Sequence, residues 1–441
     1  MKFPKDFIWG SATSSYQIEG ATTQDGRGAT IWDTFSDTPG KVLNGDNGDD
    51  ACDHYNRYRE DVALMSYIGL QSYRFSIAWS RILPNGIGKI NPLGLDFYDR
   101  LVDELLSKNI SPLATLYHWD LPQALGDKGG WLNRDIVDAF TEYTNVVTNR
   151  LGDRVKSWAT HNEPWCISFL SYGIGEHAPG HQNWKEAITA AHYVLLSHGT
   201  AVDVIRANVS DAKVGIVLNL NWVDSITDRE EDVDAAKRFD GYFNRWFLDP
   251  LYKGEYPQDM WDFYGDKVPD VREGDLKHIS VPTDFLGINY YSRAYIGAGK
   301  DEPFFTRGER TTNEYTAMDW EVYPQGLEQL LVRLHEEYAP KAIYVTENGA
   351  AYNDEFSADG KVHDDGRKAY LEAHFEAAAS AIAKGVPLRG YYVWSLMDNF
   401  EWAWGYSKRF GITYVDFKTG KRTLKQSGEW YRRFIEQQQS Q

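Results

Sequence analysis

Val155-Lys156-Ser157-Trp158-Ala159-Thr160-His161-Asn162-Glu163-Pro164 and Ala342-Ile343-Tyr344-Val345-Thr346-Glu347-Asn348-Gly349 follow one plan: a short apolar, strand-like run that ends in a glutamate beside an asparagine. Runs of this length, bounded by polar residues, read as buried strands. Six more occur, at 7–14, 72–79, 112–119, 214–222, 285–291 and 390–396, which with 155–162 and 342–347 makes eight. Between them lie segments with helical spacing: Phe97, Leu101 and Leu105 form one apolar stripe, Ile136, Phe140, Tyr143 and Val147 a second, and Tyr370, His374 and Ala378 a weaker third. Asp135 is placed to cap the second. Strands that alternate with helices are returned to the same edge and therefore run parallel. Eight such units predict an α/β fold, a (β/α)8 TIM barrel, as a single domain over residues 1–441. The connections at 22–50, 224–234 and 297–316 are too long for bare loops and are expected as extended βα loops on the active-site face.

Composition narrows the partners. Lys+Arg 46 against Asp+Glu 64 gives a net charge of −18, and no basic block stands out, so neither nucleic acid nor an anionic membrane is an expected partner. Cys52 and Cys166 are too few for a disulfide framework and have no Cys-X-X-Cys spacing, so they are expected as buried free thiols. Residues 1–7 lack the apolar run of a secretory signal, and no stretch reaches the roughly 18 apolar residues of a membrane span. A soluble, cytoplasmic protein is expected. There is no His-Glu-X-X-His run and no EF-hand loop. The acidic Gly45-Asp46-Asn47-Gly48-Asp49-Asp50 reads as a turn, and no Gly-X-Gly-X-X-Gly follows a strand, so neither a metal nor a nucleotide cofactor is expected. Aromatics at 15% are high, with 16 Trp and 28 Tyr; most are expected in core and surface packing, but flat rings also suit the C–H face of a pyranose.

In a barrel of this type the functional groups project from the C-terminal strand ends. Glu163 closes the fourth run and Glu347 the seventh, so the two are expected to face each other across the barrel mouth. Alone, either reads as a salt-bridged strand-end carboxylate. Together they supply what cleavage of a glycosidic bond requires, a proton donor for the leaving oxygen and a second carboxylate for the oxocarbenium-like carbon.

With these runs go Phe7-Ile8-Trp9-Gly10, Tyr16-Gln17-Ile18-Glu19-Gly20, Tyr73-Arg74-Phe75-Ser76-Ile77, Tyr117-His118-Trp119-Asp120-Leu121-Pro122 and Trp394-Ser395-Leu396-Met397-Asp398-Asn399-Phe400-Glu401-Trp402. In this order the motifs make the chain resemble glycoside hydrolase family 1, the retaining β-glucosidases and their relatives, from about Phe7 to about Phe434. The resemblance implies hydrolysis of small β-glucosides and cello-oligosaccharides by double displacement. Glu163 matches the family's general acid/base and Glu347 its nucleophile, while Arg74 and Tyr291 match the groups that orient the nucleophile. Gln17, His118, Trp119, Asn162, Glu401 and Trp402 match positions that bind the sugar hydroxyls, and Asn289 a neighbouring polar position. Trp394 matches the platform under the ring, Phe410 the position near C6, and Trp320 the aromatic on the aglycone side. The resemblance leaves β-galactosides and β-fucosides open beside β-glucosides, and it allows a homo-oligomer.

Two other readings stand beside this one. A 6-phospho-β-glycosidase would need to neutralise a phosphate near C6, and relatives of that kind usually replace the carboxylate at the position of Glu401, which this chain keeps. A sugar-binding barrel without catalysis would be expected to lack one of Glu163, Glu347, Arg74 or Tyr291, all of which are present.

Overall fold

The computed structural model describes residues 1–301 and 303–440; Glu302, inside the predicted 297–316 connection, and Gln441, the last residue of the predicted domain, lie outside the described residues. Eight parallel strands close a barrel: β1 (Ile8–Ala12), β2 (Ser72–Ser76), β3 (Ser111–Tyr117), β4 (Ser157–Asn162), β5 (Lys213–Asn219), β6 (Phe285–Asn289), β7 (Ile343–Asn348) and β8 (Leu388–Trp394). Each pairs with its neighbours in sequence, and β8 closes onto β1 from Ile8↔Gly390 to Ala12↔Trp394. All eight predicted runs are barrel strands. The predicted 214–222 run ends earlier, because Trp222 begins a separate strand, Trp222–Ser225.

Side chains alternate along the strands between two apolar layers, as the pleat requires. Ala12, Leu113, Ala159, Val217, Phe285, Tyr392 and Trp394 form a small cluster within the barrel. Ala114, Ile216, Leu218, Leu286, Ile288 and Val393 point the other way, into the larger core shared with the helices. The stripe Phe97, Leu101, Leu105 is buried in helix Pro92–Ser107, which has proline in its first turn where no amide donor is needed. Ile136, Phe140, Tyr143 and Val147 are likewise buried in helix Ile136–Leu151. Asp135 does not cap that helix. It already has right-handed helical angles and makes no side-chain cap bond, while its own N–H donates to Asn133 Oδ1 at 3.0 Å. The third stripe lies in helix Asp365–Ala383, with Tyr370, His374 and Ala378 all buried.

The long connections carry structure of their own. The 22–50 segment holds helix Ile31–Asp37 with a complete capping box between Thr30 and Asp33. Trp222–Ser225, Arg293–Ala298 and Thr306–Gly308 form a three-stranded sheet from segments following β5 and β6. Both cysteines are free and buried. Among the described residues no helix is long and apolar enough to cross a membrane.

Gly349, the end of the Glu347 motif, lies where the chain leaves β7 against the end of β8. A Cβ there would sit 1.7 Å from the Trp394 carbonyl oxygen, a backbone atom that cannot rotate away. Gly349→Ala is therefore expected to lower stability in denaturant unfolding by about 1–3 kcal/mol, the usual range for overpacking. Gly308→Ala, with no atom within 4 Å of the added carbon, should change little. Equal losses in the two variants would refute this account of the motif's glycine.

Candidate active site

The two glutamate motifs divide their residues between anchoring and chemistry. Thr160 Oγ1 meets His198 Nδ1 at 2.7 Å and His161 Nε2 meets Ser197 Oγ at 2.8 Å, tying the end of β4 to helix Trp184–Asn208. The pairing register between β4 and β5 then shifts between Ala159 and Asn162. Glu163 follows directly after β4 with φ of 54°, its N–H on the Val217 carbonyl at 2.8 Å. A register shift and a left-handed residue re-aim a side chain at a strand end. The second motif behaves similarly, with shifts on both sides of β7 beginning at Val345. Asn348 Nδ2 donates to the Tyr290 carbonyl at 2.7 Å and to Tyr370 Oη at 3.1 Å, and Tyr370 Oη donates to the Tyr291 carbonyl at 2.8 Å. The weakest helical stripe in the sequence thus reaches the site through one hydroxyl.

Arg74, on β2, joins the two motifs. It donates to Glu347 Oε1 at 2.6 Å and to Asn162 Oδ1 at 2.6 Å, with its Nε on Thr115 Oγ1 at 3.1 Å. Tyr291 Oη donates to the other oxygen of Glu347 at 2.6 Å. Both oxygens of Glu347 are therefore held, and the carboxyl plane cannot turn freely. Asn289 Nδ2 donates to Asn162 Oδ1 at 3.0 Å and to Glu163 Oε1 at 2.7 Å, while its Oδ1 accepts from Thr346 Oγ1 at 2.8 Å. Cys166 Sγ lies 3.1 Å from Glu163 Oε2.

These surroundings separate the two carboxyl groups. Burial, and then the negative charge of Glu347, hold the Glu163 carboxyl well above the usual range, against the hydrogen bonds from Asn289 and Cys166. Burial also raises Glu347, but there the Arg74 guanidinium and the Tyr291 hydroxyl oppose it at contact distance. The first proton shared between the two groups therefore belongs on Glu163. Glu401, a third carboxyl and only partly buried, is pushed up to about 8 by desolvation and by Glu347 and Glu163.

A cleft of about 610 Å³ opens onto this constellation. His118, Trp119, Glu163, Asn289, Tyr291, Trp320, Glu347, Trp394, Glu401, Trp402 and Phe410 all line it. Gln17, Arg74 and Asn162 are wholly buried behind that surface. Gln17 Nε2 donates to the Phe400 carbonyl at 2.8 Å and to Glu401 Oε2 at 3.4 Å, so it positions Glu401. Trp119 Nε1 donates to the Asn162 carbonyl at 2.8 Å, so its indole N–H serves the motif's backbone and it turns its ring to the cleft. His118 Nε2 accepts from Asn162 Nδ2 at 3.1 Å, which puts the proton of the neutral ring on Nδ1. Burial, then the Arg74 charge, keep that ring neutral, and Nδ1 has no protein partner.

The predicted site residues thus belong to one constellation. Cys166 and Asn219 also line the cleft and were not singled out by sequence. The signal for Cys166 was its i+3 spacing from Glu163, which on a helical turn brings the two side chains together. Among the described residues no three His, Cys, Asp or Glu side chains converge as a metal-binding group.

A family model described as glycosyl hydrolase family 1 matches residues 1–440. The chain is 51% identical over 436 residues to a 1,4-beta-D-glucan glucohydrolase of Thermotoga neapolitana, covering 98% of each. It is 50% identical over 432 residues to beta-glucosidase A of Thermotoga maritima, covering 98% of this chain and 97% of that one. A solved structure, the beta-glucosidase from Thermotoga maritima in complex with deoxynojirimycin, matches with a TM-score of 0.97 at 48% identity, covering 99% of each chain.

Tyr291→Phe keeps the ring and removes the donor to Glu347, a bond to a charged group that contributes about 1.5–3 kcal/mol. Because that bond favours the ionised form, its loss should move the Glu347 titration upward in pH, followed by NMR of carboxyl-labelled glutamate. A titration left in place, or moved downward, would show that the hydroxyl does not hold Glu347 ionised.

Proposed function

Because the chain belongs to glycosyl hydrolase family 1, we infer that it is a retaining β-glucosidase, acting on terminal non-reducing β-D-glucosyl residues of small β-glucosides and cello-oligosaccharides. The observation that carries its mechanism is the unequal pair: Glu347 between a cation and a phenol, Glu163 with neither. In the proposed cycle a Glu347 oxygen attacks the anomeric carbon from the α face while Glu163 gives its proton to the departing glycosidic oxygen. The bond to the aglycone breaks and an α-linked glycosyl ester forms on Glu347. Glu163, now ionised, takes a proton from water as that water attacks the same carbon from the β face. The ester bond breaks, β-glucose leaves, and both carboxyl groups return to their starting states.

Gln17, His118, Asn162, Glu401 and Trp402 are proposed to meet the sugar hydroxyls, Trp119 and Trp394 to wall the ring, Phe410 the C6 end, and Trp320 the aglycone side. Arg74 and Tyr291 orient the nucleophile, and Asn289 holds both Asn162 and Glu163. A buried hydroxyl left unpaired opposes binding by about 1–3 kcal/mol, so polar groups behind and within the cleft favour a sugar over an apolar ligand. The same residues can hold galactosides and fucosides. The retained Glu401 carboxyl stands where a phosphate at C6 would need a cation or a small polar residue, which disfavours a 6-phospho substrate. Every group of the site comes from one chain, so the chemistry asks for no second copy, although a homo-oligomer is compatible with it. Two unpaired thiols support work in a reducing compartment, the cytoplasm.

Glu401→Ser removes two or more hydrogen bonds to the sugar that each contribute about 0.5–1.5 kcal/mol. Steady-state kinetics should show kcat/KM on an aryl β-glucoside falling by at least roughly tenfold, with 6-phospho substrates harmed less or improved. A wild type that already prefers the phosphorylated substrate would refute this subsite.

Azide separates the two glutamates by product geometry. In Glu347→Ala the α face is open, and azide attack with one inversion should give the α-glucosyl azide. In Glu163→Ala an activated aryl glucoside still forms the ester, and azide arriving from the β face should give the β-glucosyl azide. The anomeric coupling constant in proton NMR distinguishes them. The opposite anomers, or one anomer from both variants, would overturn the roles.

A further inference from the structure

Glu163 Oε1 is occupied by an amide N–H of Asn289 at 2.7 Å. An amide nitrogen donates and cannot accept, so the proton of the acid form belongs on Oε2. Facing Oε2 is the sulfur of Cys166, 3.1 Å away and buried, at the start of the wide π-helical run Cys166–Ile174. On the far side Asn219 Nδ2, from the end of β5, points a donor at the same sulfur at 3.7 Å. With the sulfur's acceptor side taken, its S–H is left to point at the carboxyl.

We propose that Cys166 is a positioning residue of the reaction: its thiol, oriented by Asn219, donates the second hydrogen bond to ionised Glu163 and sets how readily that group gives up and regains its proton. This rests on Glu163 being the acid/base.

A thiol suits a group that changes role within each turnover. When Glu163 is ionised the S–H donates to it; when Glu163 is protonated the S–H rotates off and the soft sulfur presents no fixed charge or strong donor against the carboxyl O–H. An amide or ammonium here would hold Glu163 ionised, and an aliphatic group would leave Oε2 without a protein donor. Burial and the neighbouring carboxyl push the thiol up, so it remains a thiol where Glu163 titrates. It is also thereby a poor nucleophile, which fits a tuning role and not a covalent one.

The sign of the effect makes it testable. A donor to the ionised form lowers a carboxyl's pKa, and a hydroxyl is a stronger donor than a thiol. The basic limb of kcat/KM against pH should move up by on the order of half a pH unit in Cys166→Ala. It should move down in Cys166→Ser. Asn219→Leu, which leaves the thiol unoriented, should move it up, and this variant keeps the test open should Cys166→Ala fold poorly. A residue that only packs would change the unfolding midpoint or kcat without opposite shifts of the limb. Glu163→Gln, assayed on an activated aryl glucoside, should lose the limb. A limb that survives in Glu163→Gln overturns the acid/base assignment and this inference with it. A limb lost there, but unmoved or moved in one direction by Cys166→Ala and Cys166→Ser, overturns this inference alone.

Discussion

A guanidinium buried in the barrel is the constraint from which the rest of the site follows. Arg74 has 1% side-chain exposure, and a charge withdrawn from water that far must find an anion and fill its donors or carry a penalty of several kcal/mol. The anion it finds is Glu347, and the remaining donors reach Thr115, the Thr346 carbonyl and Asn162. One side chain on β2 thereby fixes the ends of β3, β4 and β7. Asn162, once fixed, sets the His118 tautomer on one side and receives Asn289 on the other, and Asn289 reaches Glu163. Apart from Gln17 and Glu401, which bond to each other and to the 399–400 segment, the polar site is one connected network whose root is one cation.

That network divides the cleft into groups that are closed and groups that are left open. Asn289 and the Glu347 carboxyl are saturated by protein partners, as is the Trp119 indole N–H, so their geometry does not wait for a ligand. The Glu401 carboxyl is of the open kind, with only a long contact from Gln17 at 3.4 Å. Preorganised groups of the first kind favour the reacting atoms, because they lose no freedom when the reaction begins. Open groups of the second kind favour a ligand rich in hydroxyls, because only such a ligand completes them.

The barrel was legible because most of its strands are short, largely apolar runs that alternate with helical spacing eight times, although Ser72–Ser76 and Ser157–Asn162 carry the polar side chains of the site. The glutamates were legible because each sits at the end of such a run, where a carboxylate needs a reason. The partners of those glutamates were not. Arg74 meets Asn162 and Glu347 from a distant strand, and nothing local to Tyr73-Arg74-Phe75 states which carbonyls and carboxylates it will touch; only the family motif pointed to the role. Asp135 failed as a cap for the opposite reason: a local rule predicted it, but Asn133, two residues earlier, took the Asx turn and left Asp135 with helical angles just before the helix. Cys166 escaped because its i+3 spacing from Glu163 has meaning only if a helix starts at that glutamate, and the sequence reads Glu163 as the end of a strand.

The proposed double displacement draws its timing from the electrostatic link between the two carboxyls. Before reaction the charge on Glu347 helps hold a proton on Glu163, while Arg74 opposes the rise that burial gives Glu347. Bond formation at Glu347 turns that carboxylate into an ester and removes the charge, so the proton on Glu163 loses part of what retained it at the moment the leaving oxygen needs it. Burial persists through the step, so the ionised Glu163 stays more basic than a carboxylate in water, which is what activating water for the second half requires. Arg74 keeps its charge throughout, and with the Glu347 anion gone its field still steadies the Asn162 carbonyl oxygen and so the rest of the network. The same two groups can therefore serve as acid then base, and as nucleophile then leaving group, without any part of the frame having to move.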